Sequence, residues 1–114
     1  MKEGDIYLVE IPASGGHEQA GLRPAIIIQS SSLEKLPTVL IVPLTSKMKA
    51  ADFPFTFIIE PDQFNNLNNS SVALIFQLRA IDKRRIKNKL GELKQDKLKI
   101  LKQNIREIMG LIKE

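Results

Sequence analysis

Apolar and polar residues alternate over residues 5–12, where Ile6, Leu8 and Ile11 mix with Tyr7, Val9 and Glu10. That period of two predicts a half-buried first strand. Residues 25–28 form a continuous apolar run with β-branched enrichment, which predicts a core strand with Arg23 and Pro24 held at its start. Between the two, Gly15, Gly16 and Gly21 flank a polar loop that can take positive φ or approach a ligand closely. Ser30 to Ser32 and Pro37 bracket a linker with room for a helical turn, and residues 38–44 make the most hydrophobic strand, whose end Thr45, Ser46 and Lys47 leave. Phe53-Pro54-Phe55 leads into a fourth strand reaching Glu60, which Pro61 stops. Residues 65–69 then predict a turn-rich loop, and residues 71–82 one long fifth strand.

Beyond Asp82 the period changes. Leu98, Leu101, Ile105, Ile108 and Ile112 recur at steps of three and four, with Lys97, Lys102, Glu107 and Lys113 on other faces. This predicts an amphipathic helix from about Lys94 onward, with Gly110 weakening its last turn. Five short strands closed by one helix make a mainly β protein, a small and strongly bent barrel with a helix against it.

Length and composition narrow the function classes. At 114 residues the chain is long enough for one core and too short for two, which predicts a single domain over 1–114. No run approaches the roughly 18 apolar residues of a membrane span, and the first five residues lack the apolar stretch of a secretory signal, so a cytoplasmic protein with no membrane partner is predicted. With no cysteine and only His17, disulfides, thiol catalysis and a His-rich metal site are excluded. Neither a metal nor another cofactor is predicted. The net charge of +4 is unevenly placed: residues 83–114 carry eleven Lys or Arg against four Asp or Glu, a balance of +7, while residues 1–82 carry six against nine, a balance of −3. A solvated helix face accounts for such a run most simply, and it also suits an acidic protein segment.

The segments GHEQAG, LRPAIII, VPLTSK, FPF and QLRAID occur in this order along nearly the whole chain. Together they resemble the MazF/PemK family of bacterial toxins, the RNA-cleaving ribonucleases of type II toxin–antitoxin pairs. The resemblance implies a CcdB/MazF-type SH3-like barrel with a C-terminal helix, assembled as a homodimer. It implies single-stranded RNA as substrate and an acidic, partly disordered antitoxin as the inhibiting partner.

The residues fit one chemistry in particular. RNA carries its own nucleophile in the 2′-hydroxyl beside the scissile phosphate, so a protein need only align that group, accept its proton, neutralise the phosphorane and protonate the leaving 5′-oxygen. Arg23 offers a permanently charged planar fork to two phosphate oxygens. Thr45 lies where the family places a catalytic threonine, with Ser46 beside it as a second hydroxyl and Lys47 as a further phosphate contact. Glu18 and His17 compete as the base: a carboxylate near an arginine is a weak base, whereas histidine works near neutral pH without a large shift. Glu18 is assigned to proton transfer, and His17 and Gln19 to RNA contact. Phe55 is the aromatic best placed to stack on an unpaired base, with Phe53, Phe57 and Phe64 expected in the core, and Gln77 is expected to read a base edge or a phosphate.

One position departs from the family pattern. Before the glutamine of the fifth-strand motif relatives carry Asp or Glu, and here Phe76 stands there, with Leu74 where the PemK branch has an arginine. The PemK acid–base pair therefore does not transfer, and the mechanism rests on Arg23, Thr45 and their neighbours. Two other readings are a noncatalytic toxin resembling CcdB, which poisons a topoisomerase, and a decayed RNA-binding module. The first is disfavoured because CcdB ends in Trp-Gly-Ile, whereas this chain has Met109-Gly110-Leu111 and no tryptophan.

Overall fold

The computed structural model describes residues 1–12 and 21–111. Expectations placed on Gly15, Gly16, His17, Glu18, Gln19, Ile112 and Lys113 lie outside the described residues. Within them the strands are β1 (Asp5–Ile11), β2 (Gly21–Ile27), β3 (Thr38–Thr45), β4 (Thr56–Ile59), β5 (Ser71–Leu74), β6 (Arg79–Asp82) and β7 (Ile86–Glu92), followed by helix α1 (Gln95–Ile108). Every pairing is antiparallel, in the order β4-β5-β3-β2-β1-β7, with β6 also pairing β3. The mainly β architecture with a C-terminal helix is as expected, with seven described strands in place of five.

Both faces of the central strands are buried, which is why their sequences read as apolar runs. Even-numbered Ile6, Ile26, Val42 and Leu44 share one core cluster with Leu98 and Leu101 of α1. Odd-numbered Val9, Ile11, Ala25, Ile27, Val39 and Ile41 pack with Ile81 in a second. Ile105 packs against the first cluster from α1, as its spacing predicts. Gly110 does not sit in the last turn of the helix. It follows the helix with φ +72°, its N–H donating to Glu107 C=O at 3.0 Å and the Leu111 N–H to Arg106 C=O at 2.8 Å, a pair of bonds that closes the C-terminus.

Two expectations are corrected. The fifth strand is broken: β5 and β6 pair with the two ends of one edge of β3, and a 3₁₀ turn at Ile75–Gln77 bulges between them. Five residues, 74–78, there stand opposite two, Val42 and Pro43. The stretch before α1, assigned no strand from the sequence, holds β7, whose pairing with β1 shifts register twice and so hides its period.

The prolines explain where the sheet opens. The Ile28 N–H donates to Leu40 C=O at 3.1 Å, and hydrogen-bonded rungs recur at every second residue of an antiparallel ladder. The next such rungs between β2 and β3 are Ile26–Val42 and then Pro24–Leu44, where Pro24 has no N–H to give. The ladder stops accordingly at Ala25–Pro43. By the same alternation the nitrogen of Pro43 faces the other edge of β3, opposite the bulge between β5 and β6.

Candidate functional site

A cleft of about 350 Å³ lies where the β2–β3 ladder is missing. Leu22, Arg23 and Pro24 line it from β2, Leu44, Thr45 and Ser46 from the end of β3, and Leu8 and Leu90 from β1 and β7. The loop before β5 completes the wall with Asn66, Leu67, Asn68 and Asn69, and Ser71 of β5 joins them. The apolar residues hold the shape, and Arg23 brings the permanent positive charge.

Arg23 is the third residue of β2 and pairs with Val9 of β1. It is therefore set within a strand, not at its mouth, because the pairing with β1 continues out to Gly21. The side chain is half-buried. Thr45 is the last residue of β3, 3 % exposed, and pairs with Val72. Its Oγ1 accepts the Lys47 N–H at 3.2 Å, a short-range bond that turns the chain out of the strand and leaves the hydroxyl hydrogen to donate elsewhere. Ser46 is exposed on the rim.

The cleft thus gathers Arg23, Thr45 and Ser46. Lys47, Phe55 and Gln77 do not line it, and His17, Glu18 and Gln19 fall outside the described residues. Lys47 is exposed and starts the 3₁₀ turn Met48–Asp52. Gln77 closes the Ile75–Gln77 turn, so it is not a strand residue. Phe55 has φ +56°, its carbonyl accepts the Ile75 N–H at 3.1 Å, and its ring packs against the first core cluster.

The aromatic assignments change places. Phe57 packs on the core as expected. Phe53 is 58 % exposed and Phe64 50 % exposed, against the expectation of burial. The ring of Phe53 meets that of Phe76, itself 39 % exposed, with centroids 5.5 Å apart and planes tilted by 54°. The residue that replaces the family's acid is therefore held by an aromatic neighbour. Phe64 lies under the Lys94 ammonium at 5.6 Å.

The sequence marks the asparagines of the cleft only as turn formers. Their composition signals a loop, and membership of a cleft depends on which strands pack beside that loop. Four of the basic groups in the C-terminal third are paired: Arg84 with Asp82 at 2.9 Å, Arg85 with Glu10 at 2.9 Å, Lys89 with Asp5 at 3.4 Å and Lys102 with Glu3 at 3.0 Å. Among the described residues no group of three or more His, Cys, Asp or Glu is placed to hold a metal ion, and no helix is long and apolar enough to cross a membrane.

Residues 2–109 match the family model described as "PemK-like, MazF-like toxin of type II toxin-antitoxin system". The chain is also 37 % identical over 112 residues to the endoribonuclease MazF of Staphylococcus saprophyticus, covering 97 % of this chain and 92 % of that one. This chain belongs to the MazF/PemK toxin family. The crystal structure of MazF (Form-I) from Deinococcus radiodurans superposes with a TM-score of 0.81 at 26 % identity, covering 96 % of each chain. A MazE–MazF (Form-II) crystal structure from the same organism shows the same fold, with a TM-score of 0.75 at 23 % identity, covering 98 % of this chain and 97 % of that one. The family membership does not favour the noncatalytic, CcdB-like alternative.

Proposed function

We propose that this toxin is an endoribonuclease that cuts single-stranded RNA without a metal ion, using the RNA's own 2′-hydroxyl as nucleophile. The observation that carries the proposal is the meeting of Arg23 and Thr45 in one cleft, on the two strands that part beside it. A scissile phosphate seated there lies against the guanidinium fork, which binds two equatorial oxygens as negative charge builds in the phosphorane. The Thr45 hydroxyl, oriented by the Lys47 N–H on its oxygen, donates to the same phosphate, and Ser46 donates at the rim.

The 2′-oxygen forms a bond to phosphorus as its proton passes to the base, a role assigned to Glu18. The bond from phosphorus to the 5′-oxygen breaks, and that oxygen takes a proton as it leaves. The products end in a 2′,3′-cyclic phosphate and a 5′-hydroxyl. No water enters the chemical step.

The partner assignments follow the family. MazF of Deinococcus radiodurans is seen in a MazE–MazF complex, and the partner proposed here is an acidic antitoxin acting on a cytoplasmic homodimer. Lys97, Lys99 and Arg106 on α1 make no ion pair among the described residues and remain available to steer an acidic segment. The deciding experiment incubates the purified chain with a long RNA in EDTA and maps the cut ends. Cyclic-phosphate ends support the proposal, and intact RNA in EDTA that is cut when magnesium is restored defeats it.

A further inference from the structure

We infer that Asn68 and Asn69 read the edge of a base beside the scissile phosphate and so set the sequence this toxin cuts. The inference deepens the RNA-cleaving reading of the cleft and rests on it. Its ground is a division of labour among the four asparagines at positions 65, 66, 68 and 69.

Two of them hold the loop. Asn65 is fully buried: its Nδ2 donates to Glu60 C=O at 2.9 Å, and its Oδ1 accepts the N–H groups of Asp62 at 3.1 Å and Leu67 at 3.0 Å. Asn66 takes φ +53° and donates from Nδ2 to Leu90 C=O at 2.7 Å, which ties the loop to β7. Asp62 adds two bonds, its Oδ1 accepting the N–H groups of Phe64 and Asn65 at 2.8 Å each. Leu67, buried between the two pairs, anchors the loop in the core.

The other two face outward. Asn68 and Asn69 are exposed, line the same cleft as Arg23 and Thr45, and make no side-chain hydrogen bond among the described residues. A carboxamide sets one acceptor beside two donor hydrogens, the pattern that matches the paired donors and acceptors on a base edge. It carries no charge, so it adds little to phosphate binding beside an arginine. Single-stranded RNA is the form that offers such edges, since its bases are unpaired. Because the loop backbone is already fixed by Asn65, Asn66 and Asp62, only the two side chains are left to order when RNA arrives, which lowers the ordering cost of binding.

The test uses two RNA pools randomised around a cut site, one natural and one with every ribose 2′-methoxy. Cutting of the first and retention of the second are sequenced for the wild-type chain and for Asn68→Ala, Asn69→Ala and the paired Asn68→Asp/Asn69→Asp variant. Thermal melting confirms that each variant is folded. We expect the wild type to favour particular bases, and the variants to lose that preference by about tenfold or more, with the loss falling on the preferred RNA. The Asp pair, which keeps shape and acceptors while removing donors, should shift the preference to different bases. An unchanged preference in the variants, or no base preference in the wild type, overturns the inference. The methoxy pool separates the two readings: base preference there, with no cutting of natural RNA, supports the asparagines and defeats the catalytic proposal.

Discussion

Arg23 and Thr45 each lie two residues beyond Ala25–Pro43, the last pair of the β2–β3 ladder, and both line the cleft that opens there. The β2–β3 register pairs Ala25 with Pro43, and continuing it by two residues brings Arg23 level with Thr45 on the same face of the sheet. On the proposed mechanism, charge that builds on a phosphate bound in this cleft meets the Arg23 cation and the Thr45 hydroxyl. Arg23→Ala should therefore lower kcat on the order of a hundredfold or more while changing RNA affinity much less. Thr45→Ala should act in the same direction. Single-turnover rates and binding to a 2′-methoxy RNA separate the two effects, and near wild-type turnover in a folded Arg23→Ala chain would remove it from the site.

Pro24 has a consequence of its own. If its missing N–H is what parts the strands, Pro24→Ala returns a donor and lets the rung to Leu44 form. The added bond is worth about 1 kcal/mol, and the greater freedom of the unfolded chain costs a similar amount, so stability should move by less than about 1 kcal/mol. Activity should fall as the cleft narrows. Hydrogen exchange at the new amide of position 24 is the direct readout: slow exchange with reduced cutting is expected, whereas fast exchange would assign the gap to another cause.

Gly91 and Gly110 separate crowding from backbone strain. A Cβ on Gly91 would lie 2.3 Å from the Phe64 carbonyl oxygen and 2.6 Å from that of Asn65, both backbone atoms that cannot rotate away. Gly91→Ala should cost about 3 kcal/mol or more and loosen the loop that carries Asn68 and Asn69. Gly110 has open space around it and only its φ of +72° to lose, so Gly110→Ala should cost about 1 kcal/mol. Urea titrations of the two variants check the ordering.

What could be read from the sequence follows from where the deciding information sits. β3 and α1 declare themselves locally, β3 by its run of β-branched and apolar residues, α1 by Leu98, Leu101 and Ile105 on one face. β7 does not, because Lys87, Asn88 and Lys89 are exposed and its bulges against β1 break any period. The break between β5 and β6 is invisible in a stretch as apolar as Val72 to Leu78, since the proline opposite it belongs to β3. Arg23, Thr45 and Ser46, which the cleft brings together, are legible as candidates because each stands beside a proline or strand end within a readable motif. The place of Asn68 and Asn69 in the cleft is not legible, because that cleft is made by strands distant in sequence. Which ring of Phe53-Pro54-Phe55 is buried is not legible either: Phe55, at a positive φ that no residue type announces, packs on the core, and Phe53 is the exposed one.

Asp82 gives a pH signature. It caps the 3₁₀ turn Lys83–Arg85 by accepting the Arg84 N–H at 2.8 Å, and the Arg84 guanidinium bonds both its oxygens, at 3.1 and 2.9 Å. That side-chain bonding lowers its carboxyl from 3.8 to about 2. A depressed carboxylate contributes stability that is complete above the unfolded value and is lost as pH falls through the folded one, here from about 3.8 down through about 2. A carboxyl-carbon NMR titration should find the low midpoint, and Arg84→Ala should return it toward 3.8. A midpoint unmoved by that substitution would assign the depression elsewhere.

The central claim is that the RNA attacks itself, and one substrate addresses it directly. An RNA with a single 2′-deoxy ribose on the 5′ side of the cut, compared with its unmodified twin in EDTA, isolates the nucleophile from binding. The account predicts that the unmodified strand is cut to a 2′,3′-cyclic phosphate and a 5′-hydroxyl while the modified strand stays whole at that position. Cutting of the modified strand there, or a requirement for magnesium, would mean hydrolysis by water and would contradict it.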